Sequence, residues 1–377
     1  MTSRGSSPIV LAAGGTGGHV FPAEALAAEL TGRNYRLILF TDQRGCAFSG
    51  VLRDVETYRI HSSSSLRNKI PYFVRSGFKL ALGLFQAIHL LRKLNPCAVI
   101  GFGGYASVPT MLAASLGVYP TLIHEQNAVL GRANKFLAHR VNNIATCFTV
   151  VEGLPETISS KVLVSGMPVR SGIIDYQNCD YHTVTPESPF HILVIGGSQG
   201  ARVLSDVVPA SIASMPEPIR QRFKIVQQCR PEDIERVHAT YASAGLNAEL
   251  ASFFDDLPVR LAAAHLVIAR AGASTIAELT TIGRPSILVP YPYAINNHQA
   301  RNANAIDEAG AGWVLTESSF SVEKLRECLE SLIRMPSVLE RAAANAKALG
   351  EPEAVKKLAD MVVRLIRDAN ISDGCVA

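Results

Sequence analysis

Long apolar runs, paired cysteines and, over one extended stretch, acidic residues are what this sequence lacks. Its most apolar window, LALGLF from Leu80 to Phe85, is far short of the roughly 18 apolar residues of a membrane-spanning helix, so no spanning segment is expected. The seven cysteines (Cys46, Cys97, Cys147, Cys179, Cys229, Cys328 and Cys375) are odd in number and contain no C-x-x-C pair, which suits free thiols in a reducing compartment. The opening MTSRGSSP runs into IVLAA without the apolar stretch and cleavage site of a secretory signal, so export is not expected. Between Glu56 and Glu125 no acidic residue occurs, whereas Arg59, Arg67, Lys69, Arg75, Lys79, Arg92 and Lys93 all fall there. One face of the first half should therefore be positive. Nucleic acid, anionic lipid and a phosphorylated substrate all suit such a face, and charge alone does not choose among them.

What is present is a globular composition, 48% hydrophobic and 18% charged, over 377 residues, more than one core usually serves. Short apolar runs (PIVLAA, RLILFT, CAVIGF, PTLIHE, NNIATC, KVLVSG) alternate with helical or loop segments, the pattern of a parallel sheet covered on both faces. Pro22 is expected in the first turn of the first helix. After a polar stretch the order of strand, glycine turn and helix restarts at HILVIGGSQGAR and continues through FKIVQQ, AELASF, HLVIAR, PSILVP and GWVLTE. Two α/β domains follow, with a boundary near Gly166 to Arg170 and assigned limits of 1–168 and 169–350. The last stretch, 351–377, places Val355, Leu358, Met361, Val362, Leu365 and Ile366 at helical spacing and is expected to pack back on the first domain.

The chemistry lies in the turns. Gly14, Gly15, Thr16, Gly17 and Gly18 end a strand and open a helix, so backbone N–H groups can approach a phosphate there; a ligand-free tight turn is the plainer alternative. Val20 stands where the dinucleotide fingerprint needs its third glycine. A second turn, Gly101 to Tyr105 (GFGGY), should open on the same carboxyl edge and offers Gly103, Gly104 and Tyr105. His124, Glu125, Gln126 and Asn127 follow directly on a strand. In the second half GGSQGAR supplies Ser198, and RAGASTIAEL aims a helix N-terminus at a diphosphate through Ala273, Ser274 and Thr275. Glu278 can accept paired hydrogen bonds from a ribose, although Thr275-x-x-Glu278 also fits a capping box. Asn296, Asn297, His298 and Gln299 suit the hydroxyls of a sugar or, more simply, cap a helix. FFDD, Phe253 to Asp256, carries aromatics able to cover a base, or core.

In order and spacing, GGTGGHVFPA, GFGGY, HEQNAVLGRANK, SGMPVR, GGSQGAR, FFDD, RAGASTIAEL and NHQ resemble the MurG family. The resemblance runs from the first strand to about Gly310 and implies an α/β fold of GT-B type, two Rossmann-like domains facing a cleft. It implies transfer of N-acetylglucosamine from UDP-N-acetylglucosamine to lipid I, giving lipid II of peptidoglycan, at the cytoplasmic face of the bacterial inner membrane, bound peripherally. By carry-over, Thr16, Gly17, Gly18 and Asn127 reach the donor sugar from the first domain, and Arg170 and Ser198 meet the donor diphosphate. The backbone at Phe254 takes the uracil, Ala273 to Glu278 the diphosphate and ribose, and Gln299 the sugar. Gly14, Gly15, Gly103, Gly104 and Tyr105 are assigned to the acceptor pyrophosphate. Two positions depart from the family pattern: Met167 stands for the asparagine of G-N-P-V-R, and Asn297 for an aspartate common in the family.

The expected reaction is an inverting displacement in which the 4-hydroxyl of N-acetylmuramic acid attacks the anomeric carbon, and the donor helix entry, Ser198 and Arg170 meet the charge on departing UDP. His19 is the first candidate to accept the acceptor's proton because imidazole titrates near neutrality, and Glu125 is the second. No D-x-D pair argues for a divalent ion, and no cofactor, metal or nucleic acid is expected; an anionic membrane surface and other cell-wall synthesis proteins are the expected macromolecular partners. The rivals are another GT-B glycolipid transferase, a nicotinamide-dependent oxidoreductase with Asp42 on the ribose, and a non-catalytic lipid-surface protein.

Overall fold

The run Ile9-Val10-Leu11-Ala12 carries no polar residue because the strand it forms is covered on both faces, and that arrangement recurs through a computed structural model of the chain. The structure describes residues 7–14, 17–42, 50–62, 70–185, 187–197 and 200–374, with backbone alone at 70–78 and 372–374. The chain forms two compact units, one of residues 1–170 with 353–377 and the other of residues 171–352.

In the first unit β1 (Ile9–Ala12) leads into α1 (Gly17–Gly32), then β2 (Leu37–Thr41), β3 (Glu56–Arg59), α2 (Ile70–Leu94), β4 (Ala98–Gly101) and α3 (Gly104–Leu116). β5 (Thr121–Glu125), α4 (Arg132–Leu137), β6 (Asn143–Thr146) and β7 (Val162–Val164) complete a seven-stranded sheet in the order β3-β2-β1-β4-β5-β6-β7. Every strand pair is parallel, with Ile9 opposite both Leu37 and Ala98. β3 was not foreseen, because its ETYR sequence forms a largely exposed edge held by Glu56 against Arg36 rather than a buried apolar run.

The second unit contains α5 (Ser171–Ile174), β8 (Phe190–Ile195), α6 (Arg202–Ala213), α7 (Glu217–Arg220), β9 (Phe223–Gln228), α8 (Ile234–Ser243), β10 (Ala248–Ala251) and α9 (Leu257–Ala263). It continues with β11 (Leu266–Ala269), α10 (Ala273–Ile282), β12 (Ser286–Leu288), α11 (His298–Glu308), β13 (Gly312–Val314), α12 (Val322–Arg334) and α13 (Pro336–Leu349). Its sheet is also parallel throughout, in the order β10-β9-β8-β11-β12-β13. Phe190, Ile192 and Val194 of β8 enter a core shared with α6, α8 and α12.

The last helix, α14 (Ala354–Gly374), belongs to the first unit. Ile9 and Leu11 point to the face covered by α1 and α14, while Val10 and Ala12 point to the face covered by α2, α3 and α4. Leu358, Val362 and Leu365 are buried in the first of these cores, each contributing about 1.5–3 kcal/mol of apolar burial. Arg33, just beyond the end of α1, pairs with Asp360 of α14.

Pro22 corrects one expectation. α1 begins at Gly17, which makes Pro22 its sixth residue and not part of its first turn. Having no N–H, it removes the i+4 donor that the Gly18 carbonyl would otherwise receive. Pro109 stands sixth in α3 and does the same to the carbonyl of Tyr105.

Candidate active site

In each sheet the chain leaves the first strand on one side and later returns on the other, so a crevice opens at the carboxyl ends of two adjacent strands. In the first unit these are β1 and β4, and the turns that follow them are those carrying Gly14 and Gly103-Gly104-Tyr105. The two turns pack closely: a Cβ on Gly14 would stand 2.9 Å from the Ala106 Cβ and 3.2 Å from Asp42 Oδ1. Asp42 is thus buried beneath the glycine turn and is not presented to a ribose, which removes the feature that favoured an oxidoreductase. Gly103 and Gly104 both have positive φ, 78° and 70°, where a side chain is strained. They also seat the ring of His19, the third residue of α1; a Cβ on Gly104 would lie 3.3 Å from His19 Nε2 and one on Gly103 3.5 Å from Cε1.

The opposite edge of that ring meets the residue that follows β5. His19 Nδ1 lies 3.2 Å from Gln126 Oε1. Gln126 Nε2 donates to the Phe102 carbonyl at 2.9 Å and to the His124 carbonyl at 3.0 Å, and lies 3.1 Å from His124 Nδ1. His124 is fully buried, and that desolvation holds its pKa down at about 4, with weak help from His19. Its Nε2 lies 3.4 Å from the Gly166 carbonyl and 3.4 Å from Cys147 Sγ.

Glu125 is also buried, and both of its oxygens are engaged. Oε1 accepts from the Asn127 N–H at 3.0 Å and from Asn127 Nδ2, and Oε2 accepts from the Gly131 N–H at 2.9 Å and Asn134 Nδ2 at 2.8 Å. A carboxylate saturated in this way anchors the 125–134 loop and has little free lone-pair capacity for a substrate proton. Arg170 places its guanidinium 5.2 Å from the centroid of the Phe21 ring on α1.

In the second unit the adjacent strands are β8 and β11, followed by the Gly196–Gly200 turn and by α10. A Cβ on Gly196 would meet the Ala201 nitrogen at 2.4 Å, and the Gly196 N–H donates to Gln228 Oε1, whose amide in turn donates to the Ser252 carbonyl. α10 starts at Ala273 behind Gly272, which gives no side-chain cap. Thr275 is therefore the third helical residue, and the capping-box reading of Thr275 with Glu278 is excluded. The amides of Ala273, Ser274 and Thr275 have no acceptor within their helix, and Ser274 Oγ is buried without a partner among the described residues. Glu278 is buried one turn further along.

Asn296 and Asn297 both adopt left-handed backbone conformations, φ 55° and 54°, and Asn297 makes no side-chain cap to α11, so simple capping does not explain this segment. Gln299 Oε1 accepts the Tyr291 N–H at 2.9 Å, leaving its NH2 group as the part available to a ligand. The two phenylalanines of FFDD separate: Phe253 is 64% exposed, whereas Phe254 is buried with the Arg260 guanidinium 4.4 Å from its ring centroid.

The structure thus gathers Gly14, Gly17, Gly18, His19, Gly103, Gly104, Tyr105, Glu125 and Asn127 on one carboxyl edge, and Phe254, Ala273, Ser274, Thr275, Glu278 and Gln299 on the other. Gly15, Thr16 and Ser198 lie outside the described residues. Gln126, singled out only as one of four polar residues after a strand, joins His19 to His124, and Gln228, not singled out at all, braces the second glycine turn; each is a glutamine at the carboxyl end of a strand, and that position was the available signal.

The glycosyltransferase family 28 N-terminal domain model matches residues 9–146 and the family's C-terminal domain model matches residues 191–358. A UDP-N-acetylglucosamine--N-acetylmuramyl-(pentapeptide) pyrophosphoryl-undecaprenol N-acetylglucosamine transferase of Paramagnetospirillum magneticum is 53% identical, covering 95% of this chain and 96% of its own length. The transferase of the same name from Rhodospirillum rubrum is 49% identical over 94% of this chain and 91% of its own. Among solved structures, that of Acinetobacter baumannii MurG superimposes with a TM-score of 0.77 at 28% identity, covering 95% of this chain and 99% of that one.

Proposed function

We propose, for a chain that belongs to the MurG family within glycosyltransferase family 28, that it moves N-acetylglucosamine from UDP-N-acetylglucosamine to the 4-hydroxyl of the N-acetylmuramoyl unit of lipid I, giving lipid II. The observation that carries this is 53% identity sustained over 95% of the chain to a transferase whose name specifies both donor and acceptor.

We assign the donor to the second unit. The N-terminus of α10, with a Ser274 hydroxyl that has no partner among the described residues, suits the diphosphate; Glu278 suits the ribose, the Phe254 backbone the uracil and the Gln299 amide the sugar. Ser198 and Arg170 are assigned to the diphosphate, and Thr16, Gly17, Gly18 and Asn127 to the donor sugar. The acceptor falls to the first unit, where Gly14, Gly15, Gly103, Gly104 and Tyr105 suit its pyrophosphate. As the new bond forms between O4 and the anomeric carbon, the bond to the β-phosphate oxygen breaks and its electron pair leaves on UDP. Attack from the face opposite the leaving group turns an α-linked donor into a β-1,4 product. The hydroxyl proton passes to His19 Nε2, and the saturated Glu125 holds the loop instead of acting as the base. The test is a transfer assay with labelled UDP-N-acetylglucosamine and a short-chain lipid I analogue, with a β-1,4-linked product expected. Label delivered only to a different glycolipid would assign another acceptor.

No helix among the described residues is long and apolar enough to cross a membrane. We assign a peripheral contact with the cytoplasmic face of the inner membrane to α2, where Leu80, Leu84 and Ile88 pack on the core while Leu82 and Phe85 are exposed, Phe85 by 70%. Lys79, Arg92 and Lys93 are exposed on the same helix, and an anionic lipid surface suits the pairing of apolar and basic groups. The side chains of Phe78 and Arg75, and the whole of Arg67 and Lys69, lie outside what the structure describes.

A further inference from the structure

We propose that Gln126 is a positioning residue for the transfer: its carboxamide fixes the proton of neutral His19 on Nδ1 and so leaves the Nε2 lone pair as the proton acceptor, which rests on the reading of His19 as the base. The argument starts from two backbone carbonyls. The Gln126 nitrogen stands 2.9 Å from the Phe102 oxygen and 3.0 Å from the His124 oxygen, and both of those atoms can only accept. Rotating the amide by half a turn would set an oxygen against two oxygens, so the assignment of Nε2 and Oε1 is fixed by the network. Oε1 can only accept, and it faces His19 Nδ1 at 3.2 Å. A hydrogen bond forms there only if Nδ1 carries the hydrogen. In the neutral ring the other nitrogen, Nε2, is then unprotonated, and it lies beside the two positive-φ glycines of the GFGGY turn.

The chain of constraints extends one residue further. The Gln126 amide group has two hydrogens and three acceptors in reach, so the second hydrogen is shared between the His124 carbonyl and His124 Nδ1. His124 Nδ1 must therefore accept, which puts the His124 proton on Nε2, toward the Gly166 carbonyl at 3.4 Å. Burial keeps this second imidazole neutral above about pH 4, so the arrangement holds at the pH where cells work. Gly166 has φ 76° and begins the segment that ends at Arg170, the last residue before the second unit. Two buried side chains thus connect the proposed base to the joint of the chain, and each has one allowed hydrogen arrangement. The same logic operates in a serine protease triad, where a wrong histidine tautomer lowers kcat by about 10⁴-fold.

Two-bond proton–nitrogen correlation spectra of nitrogen-15-labelled protein report the tautomer directly. The wild-type protein is expected to show His19 protonated on Nδ1, and a His19 signal with its proton on Nε2 overturns the proposal without any variant being made. Gln126→Met keeps the length of the side chain but removes acceptor and donors. It should mix the His19 tautomers and lower kcat roughly tenfold to a hundredfold, within the roughly 10²–10⁴-fold that a general base contributes, with UDP affinity unchanged. Gln126→Glu, kept as the neutral acid by burial against the Phe102 and His124 carbonyls, retains an acceptor opposite Nδ1 and one donor toward them, and should restore both the tautomer and most of kcat. If Gln126→Met leaves kcat unaltered, or Gln126→Glu restores the tautomer but is as slow as Gln126→Met, Gln126 acts only through packing and the proposal falls. His19→Gln separates the two readings: full turnover in that variant, with an Nδ1 proton in the wild type, removes the base assignment while the tautomer assignment stands.

Discussion

The two units use the same device, a glycine turn and a helix N-terminus on either side of a strand reversal, and differ in how far the side chains around it are bonded to one another. In the first unit the polar side chains at the edge are bonded to one another: His19 to Gln126, Gln126 to His124, and Glu125 to Asn127, Gly131 and Asn134. Both helix entries, α3 behind Gly103 and α10 behind Gly272, lack a side-chain cap; in the second the helix's own Ser274 hydroxyl is buried without a partner among the described residues, as are Thr41 Oγ1 and Asn134 Oδ1 beside the first. Internal bonding fixes atoms in advance of a reaction, whereas unsatisfied donors raise the energy of the empty site and are satisfied when a ligand arrives. The difference is in keeping with the proposal that the first edge serves proton transfer and the second holds a diphosphate.

The sharpest way to break this contrast is His19→Ala. It should lower kcat by about 10²–10⁴-fold in the transfer assay while calorimetry finds UDP affinity unchanged. An equal loss of UDP affinity would place His19 on the donor side.

Acid provides the next largest effect, and each unit has one reporter. His124 and His265 are both held near pKa 4 by desolvation, below the usual histidine value of about 6.5. The unfolded chain then binds more protons between about pH 6.5 and 4, so stability falls as pH falls through that window and levels off below it. Each residue contributes on the order of 3 kcal/mol at most. Urea unfolding followed from pH 7 to 4 should show the loss, and His124→Asn should reduce it; an unchanged pH dependence in that variant would show that His124 is not the group responsible.

Glu278→Ala should weaken UDP binding roughly tenfold to a hundredfold, because charge-assisted hydrogen bonds are worth about 1.5–3 kcal/mol. A lower melting temperature with unchanged UDP affinity would make Glu278 a structural residue. Ser274→Ala should have a smaller and opposite pair of effects. UDP affinity should drop tenfold or less, while the ligand-free protein melts a few degrees higher because a buried unsatisfied hydroxyl, costing about 1–3 kcal/mol, is gone. If the ligand-free variant melts lower, Ser274 Oγ has a structural partner. The smallest effect on turnover belongs to Phe85→Ser with Lys79→Glu, which should reduce sedimentation with anionic vesicles yet leave transfer to a soluble acceptor within about twofold, since exposed substitutions rarely exceed ±0.5 kcal/mol. Undiminished vesicle binding would move the membrane contact off α2.

Strands buried on both faces were legible as apolar runs, and the glycine turns were legible because strand, turn and helix followed one another in a fixed order. β3 was not, since ETYR is an edge strand whose pairing is backbone and whose side chains face water. The start of α1 was misread because a proline is tolerated within the helix as well as in its first turn, and no local rule distinguishes the two before the fold is known. Phe253 and Phe254 are identical in type and adjacent, so only packing separates the exposed ring from the buried one. Gln126 was visible as a polar residue after a strand, but its consequence depends on Phe102, 24 residues earlier, and on which way an amide faces.

The position of α14 in the chain also has a consequence for synthesis. Leu358, Val362 and Leu365 belong to the core of the first unit, yet residues 171–352 are translated before them. On the ribosome the second unit has all of its own core while the first still exposes the apolar surface of α1 and β1 that α14 will cover. The nascent first unit must therefore wait, incompletely closed, through the whole translation of its neighbour, with that apolar surface exposed for the interval.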